Sequence, residues 1–433
     1  MTITEPISKT YEIAALLKQL EPRPVLFENV IESEFRVVGN LFCNKAQFAE
    51  YFDIGISEII PKLTAAIASP PSPPAPLPVG EGSLAPCQEV VHLEPNLDKL
   101  PIPLHFAGDG GPYITAGVVI AKHPEYGQNM DFHRCMQFSP SEMAVRVVSG
   151  RHFYKFLGDL GQVDVAICIG NSPDILAAAA TSVALGVDEL SIAESLAKVC
   201  GGSAPPLTRA KTVDLVIPAE AEFILEGTIY RDRKHAEGPF VDLTETQDFV
   251  RQEPVLVVKA LTHRQDAIWQ ALLPGALEHK LLMGMPREPT IFRAVNEVVR
   301  CLDVNVNPGG CSWLHAIVKI DKQAEDDGKK AIAAAFAGHR SCKHVFVVDA
   351  DIDIYDPLQV EWAMATRFQG DRNLVVLDRE PGSSLDPSAE PGTKMTTKMG
   401  FDLTAQLGEA HRGYEKVAYP AVDLGRFGLK SAE

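Results

Sequence analysis

The feature that most constrains the fold is a change of pattern near residue 288. Between about 100 and 275 the chain carries many short β-branched runs, such as ITAGVVIA at 114–121 and VDVAICIG at 163–170. Many strands with few helices between them predict a barrel or sandwich core. After residue 288, helical stretches alternate with strands, which is typical of an α/β layer. The sequence therefore predicts a central β domain at 101–288 and a C-terminal α/β domain at 289–433.

The first hundred residues predict a smaller α/β domain, at 1–100. Apolar positions at helical spacing indicate a helix over 8–20, and RVVGNLF at 36–42 indicates a strand. A long helix is predicted over 45–67. The prolines of Ser69–Ser83 block both helix and sheet hydrogen bonding, so we expect an exposed loop there.

The charge balance excludes several classes of protein. Asp and Glu total 57 against 40 Lys and Arg, which gives a formal net charge of -17. This argues against a nucleic-acid binder and against docking on an anionic membrane. No apolar run approaches the roughly 18 residues of a membrane span. The eight cysteines are scattered without a CxxC pair, and the N-terminus lacks a signal-peptide pattern, so we expect reduced thiols and a cytoplasmic protein.

Three segments carry residues suited to chemistry. The first is NMDFHR from Asn129 to Arg134, followed by His152. The second is Glu194 in a helical stretch, and the third is EGPFVD from Glu237 to Asp242. Taken singly, each also has a structural reading, because a turn asparagine, a core histidine, a solvated glutamate and a proline turn are common.

Together the segments resemble the UbiD family of (de)carboxylases, which use prenylated FMN. Family members place an arginine five residues and a histidine 23 residues after the asparagine, as Arg134 and His152 stand here. They carry a helical glutamate about 43 residues before the EGPF glutamate, which is the separation of Glu194 from Glu237. Lys398 begins KMGFD, a segment that matches the family's C-terminal lysine motif. The resemblance spans nearly the whole chain and implies an α/β (α+β) fold of the UbiD type, with a split β-barrel that binds the flavin between N-terminal and C-terminal α/β domains.

The resemblance also implies a metal site. Asn129, His152 and Glu194 would hold a Mn²⁺ or Mg²⁺ ion that binds the phosphate of prenylated FMN, with K⁺ nearby. An amide oxygen, an imidazole and a carboxylate are donors that suit such ions. Lys398 would add a positive charge close to the cofactor, although an ordinary surface lysine is the alternative reading.

The second implied set is catalytic. Decarboxylation leaves a carbon that must be protonated, so an acid must stand close to it. By resemblance, Glu237 or Asp242 is the proton donor, and Arg134 joins the two through bidentate hydrogen bonds. The sequence leaves open which carboxyl donates. The implied reaction is a reversible, non-oxidative decarboxylation of an unsaturated acid through a covalent adduct with prenylated FMN.

The choice of substrate depends on departures from the common pattern. Asp131 and His133 stand where many members carry glycine and tyrosine. The match is closer to shorter members, such as furan-2,5-dicarboxylate decarboxylase or the anhydromevalonate phosphate decarboxylase. His279 and Arg287 flank a proline-containing turn and would suit the second anion of a substrate. We therefore predict a heteroaromatic acid of the furan or pyrrole type, including dicarboxylic acids, with a phosphorylated mevalonate derivative as the alternative. A purely structural loop is the other reading of this pair.

Two rivals come from other classes of protein. A plain FMN-dependent oxidoreductase on a similar barrel would oxidise NAD(P)H and would not need Glu237. A catalytically silent assembly subunit would not need the set of Arg134, Glu237 and Asp242, which is intact here. The UbiD reading further predicts a flavin prenyltransferase that supplies the cofactor, and a homodimer or homohexamer.

Overall fold

The computed structural model describes residues 1–68, 85–408, 414, 416–417, 419–420 and 422–427. The loop predicted for Ser69–Ser83 lies outside the described residues. Among the described residues, no helix combines the length and apolar character that crossing a membrane requires.

Ten α-helices lie within the described parts of the chain. They are α1 Glu12–Leu20, α2 Lys45–Tyr51, α3 Ile59–Ala68, α4 His152–Leu160, α5 Pro173–Ala180, α6 Glu189–Val199, α7 Leu277–Gly284, α8 Glu288–Asn296, α9 Asp327–Gly338 and α10 Pro357–Arg367. The strands are β1 Thr2–Ile3, β2 Val25–Phe27, β3 Arg36–Gly39, β4 Val90–His92, β5 Tyr113–Ile114, β6 Val118–His123, β7 Gly127–Phe132, β8 Cys135–Gln137, β9 Glu142–Val145, β10 Gln162–Ile169, β11 Leu207–Arg209, β12 Val216–Pro218, β13 Phe223–Glu237, β14 Arg251–His263, β15 Ile268–Gln270, β16 Cys301–Asn305, β17 His315–Ile320, β18 His344–Asp349, β19 Leu374–Pro381 and β20 Met395–Asp402.

The central part is a nine-stranded antiparallel sheet. Its hydrogen-bonded order is β5-β8-β9-β14-β13-β10-β6-β7, and β4 adds to β14. The β-branched runs recognised in the sequence form its longest strands, and a three-residue register shift between Tyr230 and Lys234 interrupts the long β13–β14 pair. Bulges of this kind bend a strand and increase its twist. Beyond the bulge, β13 runs on to Glu237, so its last residue reaches the candidate site.

The N-terminal sheet takes in a strand from far along the chain. Its order is β1-β2-β3-β15, and β15 pairs in parallel with β3. The helix predicted over 45–67 is divided into α2 and α3, because Asp53 adopts a positive φ of 52° and Gly55 is extended. A left-handed residue of this kind ends an α-helix.

The C-terminal part is an α/β layer, as its alternating pattern predicts. The order is β16-β17-β18-β20-β19, with β17, β18 and β20 parallel. The stretch 380–400 is rich in Pro, Gly and Ser and predicts a loop, yet Met395–Asp402 forms β20 between two other strands. Pairing on both edges supplies the order that local composition does not.

Candidate active site

An ion network surrounds Arg134 at the turn between β7 and β8. Its Nε and Nη2 atoms donate to the two oxygens of Glu237 at 2.8 and 3.1 Å, and its Nη1 donates to Asp242 Oδ2 at 2.7 Å. Glu237 ends β13, and Asp242 follows it after the Gly238–Pro239 turn. The structure therefore brings together the three residues that the sequence predicts as the catalytic set.

Two residues that the sequence reasoning missed, Asp248 and Arg251, complete this network. Asp248 accepts from Arg134 Nη2 at 3.1 Å and from two nitrogens of Arg251 at 2.6 and 2.7 Å. Burial raises the pKa of Asp248. The hydrogen bonds from Arg251 and the Phe249 N–H, together with the charge of Arg134, outweigh this effect and lower the pKa to about 2. The available signal was an acid and an arginine three positions apart where β14 begins.

Glu237 and Asp242 differ in their access to solvent. The Glu237 side chain is fully buried, and the Tyr113 hydroxyl donates to its Oε1 at 3.0 Å. The Asp242 side chain is 19% exposed, and its second oxygen accepts from the Leu243 N–H at 2.7 Å. Asp242 lines the adjacent cavity, whereas Glu237 lies outside the lining. A bound molecule can therefore touch the carboxyl of Asp242 and not that of Glu237.

The cavity has a volume of about 520 Å³ and receives residues from the central and C-terminal parts of the chain. This lies within the range of roughly 300–1,000 Å³ that is usual for small-molecule sites. Predicted site residues in its lining are Asn129, Arg134, His152, Asp242, His279 and Arg287. Ser341, Ser383 and Ser384 line it from the C-terminal part. The site thus lies between the two larger parts of the fold.

Asn129 and His152 lie side by side in the cavity lining. Asn129 is a buried residue of β7, His152 begins α4, and Asn129 Oδ1 is 3.0 Å from His152 Nδ1. Two ligands at right angles on an octahedral ion, each about 2.1 Å from it, are about 3.0 Å apart. The spacing therefore fits two ligands of one Mg²⁺ or Mn²⁺ ion as well as it fits a hydrogen bond.

The structure does not bring Glu194 to this pair. Glu194 forms an ion pair with Lys198 one turn along α6, and it lies outside the cavity lining. Glu189, in the first turn of the same helix, lines the cavity, and its Oε2 accepts from the Met130 N–H at 2.8 Å. Five helical residues separate two side chains by about 140° around the axis, so both cannot face one site. Glu189 is the carboxylate beside Asn129, and the sequence reasoning missed it.

Asp131 and His133, the two departures from the common family pattern, contact each other. Asp131 Oδ1 is 2.9 Å from His133 Nε2, and His133 Nδ1 is 2.8 Å from the Arg146 carbonyl oxygen. Burial lowers the pKa of His133, but the charge of Asp131 outweighs this effect and raises the pKa above its ordinary value. Both residues line the cavity. The two departures from the family pattern thus form a paired contact at this wall.

His279 and Arg287 both line the cavity, as predicted for a substrate-binding pair. His279 lies in α7, and its Nδ1 accepts from the Gly275 N–H at 3.0 Å. Arg287 donates from Nη2 to the Ala180 carbonyl oxygen at 2.9 Å and from Nη1 to Ser182 Oγ. Burial, and next the neighbouring charge of Arg151, lower the pKa of Arg287 to about 10.

Lys398 lies apart from the cavity lining. It is a buried residue of β20, and its ammonium group donates to the Arg340 carbonyl oxygen. Burial lowers the pKa of Lys398 below its ordinary value. Because Ser341, the residue after Arg340, does line the cavity, Lys398 stands behind this wall.

Three family models cover almost the whole chain. All three describe domains of the 3-octaprenyl-4-hydroxybenzoate carboxy-lyase. The model of the N-terminal domain matches residues 1–67, that of the Rift-related domain matches 80–277, and that of the C-terminal domain matches 280–403. The chain belongs to the UbiD family. The family, the fold class and the carboxy-lyase class predicted from the sequence are confirmed.

Relatives of this UbiD chain include enzymes named anhydromevalonate phosphate decarboxylase. The one from Methanothermobacter thermautotrophicus is 39% identical over 425 residues, which is 95% of each chain. The one from Methanosarcina mazei is 41% identical over 423 residues, covering 96% of this chain and 95% of the relative. Among solved structures, the UbiD-class enzyme HmfF from Pelotomaculum thermopropionicum, in complex with FMN, has a TM-score of 0.91 at 34% identity, covering 99% of this chain and 95% of that one. An evolved dimeric form of HmfF in complex with prFMN has a TM-score of 0.88 at 33% identity, covering 100% and 95% of the two chains.

Proposed function

We propose that this chain decarboxylates an unsaturated acid that carries a second anionic group, with prenylated FMN as its cofactor. The observation that carries the proposal is the cavity itself. It joins an acid held by an arginine, Asp242 on Arg134, to the adjacent metal-type donors Asn129 and His152. The structure of HmfF with prFMN supports the cofactor, because HmfF shares the fold over almost the whole chain.

Asp242 is the proton donor in this proposal. The network contains three carboxyl groups, those of Glu237, Asp242 and Asp248, and two guanidinium groups. Glu237 has both oxygens on Arg134, and Asp248 has both oxygens on Arg251. Asp242 receives a single guanidinium hydrogen bond and faces the cavity, so it is the carboxyl group of the network that can deliver a proton to a bound molecule.

Glu237 then serves as a positioning residue. Its two oxygens fix the plane of the Arg134 guanidinium, and the Tyr113 hydroxyl fixes Glu237 in turn. Arg134 held in this way orients Asp242 toward the carbon that loses CO₂. Protonation of that carbon by Asp242 completes the reaction, and solvent returns the proton through the exposed edge of the carboxyl group. High bicarbonate would drive the same site toward carboxylation.

The cofactor requires both a metal and a supplier. Asn129, His152 and Glu189 fit a Mn²⁺ or Mg²⁺ ion that would hold the flavin phosphate, whereas Glu194 does not reach this place. When bound, prenylated FMN supplies the electron sink for the bond that breaks. A flavin prenyltransferase is the supplier in this proposal, and K⁺, like a homodimer or homohexamer, remains a prediction.

The relatives favour a phosphorylated substrate over a furan or pyrrole acid. Enzymes named anhydromevalonate phosphate decarboxylase match this chain at 38–41% identity. We therefore propose anhydromevalonate phosphate, the phosphorylated mevalonate derivative among the sequence alternatives, as the substrate. His279 and Arg287 are suited to a second anion, and a phosphate is one as much as a second carboxylate is.

The test begins with the cofactor. The chain is co-expressed with a flavin prenyltransferase and supplied with Mn²⁺, and the released flavin is identified by mass spectrometry. CO₂ release is then measured with anhydromevalonate phosphate and with furan-2,5-dicarboxylate. A prenylated FMN mass together with CO₂ from the phosphorylated acid is the expected result.

Other outcomes would point elsewhere. Plain FMN with NAD(P)H oxidation and no CO₂ would contradict the proposal in favour of the oxidoreductase. CO₂ from furan-2,5-dicarboxylate alone would keep the decarboxylase and replace the substrate.

A further inference from the structure

Two arginines in the cavity lining have no acidic partner among the described residues. Arg151 and Arg287 both donate to the Ser182 hydroxyl, Arg151 at a distance of 3.2 Å. The other arginines of the lining each pair with a carboxylate: Arg134, Arg146 and Arg251. Arg151 and Arg287 instead share one hydroxyl group. Their charges repel each other until an anion joins them.

Arg287 is the more constrained of the two. Its Nε atom is buried and has no hydrogen-bond partner among the described residues. Its guanidinium group stands 5.3 Å from the centre of the Trp313 ring, which offers a π face but no full negative charge. Burying a cation without a counter-ion costs free energy, so this wall of the cavity carries a positive charge that the described residues do not compensate.

Hydroxyl groups complete the same wall. The Trp313 indole N–H donates to Ser383 Oγ at 3.0 Å, which ties the loop 382–385 to the residue that faces Arg287. Ser383 and Ser384 line the cavity together with Ser182. Two guanidinium groups and several hydroxyls suit a tetrahedral dianion, since a phosphate monoester presents three acceptor oxygens that share about two negative charges.

We infer that Arg151, Ser182 and Arg287 form a subsite for a phosphate monoester, with Arg151 as a specificity-determining residue. The inference rests on the proposed function, because the phosphate assigned to this subsite belongs to the acid that loses CO₂. The cofactor also carries a phosphate monoester. That phosphate is assigned to the metal donors Asn129, His152 and Glu189, which leaves the unpaired arginines for the substrate.

The test uses the flavin-loaded protein and the Arg151→Gln variant. We compare kcat/KM for anhydromevalonate phosphate with kcat/KM for the same acid without its phosphate. Loss of one charged hydrogen-bond donor should lower the first value roughly 10- to 100-fold. The second value should change less than about threefold, since the acid lacks the group that Arg151 contacts. Arg151→Lys should recover part of the loss. Arg209→Gln, at an exposed arginine of β11, is the matched control.

Further measurements separate the outcomes. Equal losses for both acids would overturn the inference, and so would loss of bound flavin from Arg151→Gln, because the residue would then hold the cofactor phosphate.

Inorganic phosphate binding to the flavin-loaded protein, measured by calorimetry, gives a readout that does not depend on turnover. Binding that Arg151→Gln weakens supports the subsite, and binding that it leaves unchanged contradicts it. Failure of the wild-type chain to release CO₂ from either acid would count against the proposed function alone.

Discussion

Two regions of the cavity handle charge in opposite ways. Around Arg134, every guanidinium and carboxyl group already has a partner within the chain, and the network includes Asp248 and Arg251. Around Ser182, Arg151 and Arg287 share one hydroxyl group and have no carboxylate partner among the described residues. The first region is organised before anything binds, which suits an acid that must be placed accurately. The second is completed by a ligand, which suits recognition.

The largest effect should come from Asp242 in the paired region. Asp242→Asn removes the proton donor, so kcat should fall roughly 100- to 10,000-fold while the flavin content stays unchanged. CO₂ release and the flavin absorbance of the same preparation check this. Asp232→Asn, at an exposed position of β13, is the control and should leave both unchanged.

Glu237→Gln separates a proton donor from a positioning residue. The substitution weakens the anchor of Arg134 but leaves Asp242 in the cavity, so kcat should fall less than in Asp242→Asn. If Glu237→Gln were the more damaging of the two, the assignment of the acid would be reversed.

The second effect concerns the metal donors. Glu189→Gln should weaken Mn²⁺ binding roughly 10- to 100-fold, an effect typical of losing a group that supports a metal site. Glu194→Gln on the same helix should leave it unchanged, because Glu194 pairs with Lys198. Mn²⁺ titration of the two variants, followed by electron paramagnetic resonance, compares them. The opposite ranking would return the metal site to Glu194.

The third effect concerns His279 and Arg287, the predicted substrate-binding pair. Arg287→Ala or His279→Ala should lower kcat/KM for a dianionic acid roughly 10- to 100-fold more than for a monoanionic one. Both rates are measured on the same flavin-loaded preparation. Equal losses for the two classes of acid would show that the pair is structural.

The smallest effect is on stability at low pH. The pKa of Asp248 is lowered from 3.8 to about 2, so its ionised form stabilises the fold above about pH 4, and this contribution is lost as the pH falls toward 2. After allowance for solvent screening, the contribution is about 1 kcal/mol. Asp248→Asn should therefore lower the free energy of unfolding at pH 5, and the difference from wild type should shrink as the pH falls through 2. A difference that is constant across this range would contradict the role of the charge.

The sequence was sufficient where a function depends on residues fixed by strands and short turns. Asn129 and Arg134 lie five residues apart, and the short turn between β7 and β8 allows little variation in their separation. The β-branched runs likewise located the central sheet, and the alternation of helices and strands located the C-terminal one. The long helix over 45–67 was wrong because a positive φ at Asp53 is a property of the turn and not of apolar spacing.

Counting residues is a weak guide to the metal carboxylate across a loop. Glu194 stands 43 residues before Glu237, and this interval contains the irregular segment 200–206. The position around the helix axis identifies the carboxylate instead, since Glu189 lies in the first turn of α6, beside β7. The sequence alone does not indicate Asp248, Arg251 and Arg151, for another reason. Asp248 and Arg151 act through partners distant in sequence, Arg134 and Ser182, and Arg251 joins the network through Asp248, so only the folded chain reveals their roles.

The central claim is that this cavity removes CO₂ and that an acid within it delivers a solvent-derived proton. The most direct measurement is a reaction in D₂O of the flavin-loaded chain with anhydromevalonate phosphate, followed by CO₂ release and product mass. We predict one CO₂ for each acid consumed and one deuterium at the carbon that lost it. A product without solvent deuterium, or NAD(P)H oxidation without CO₂, would contradict the account.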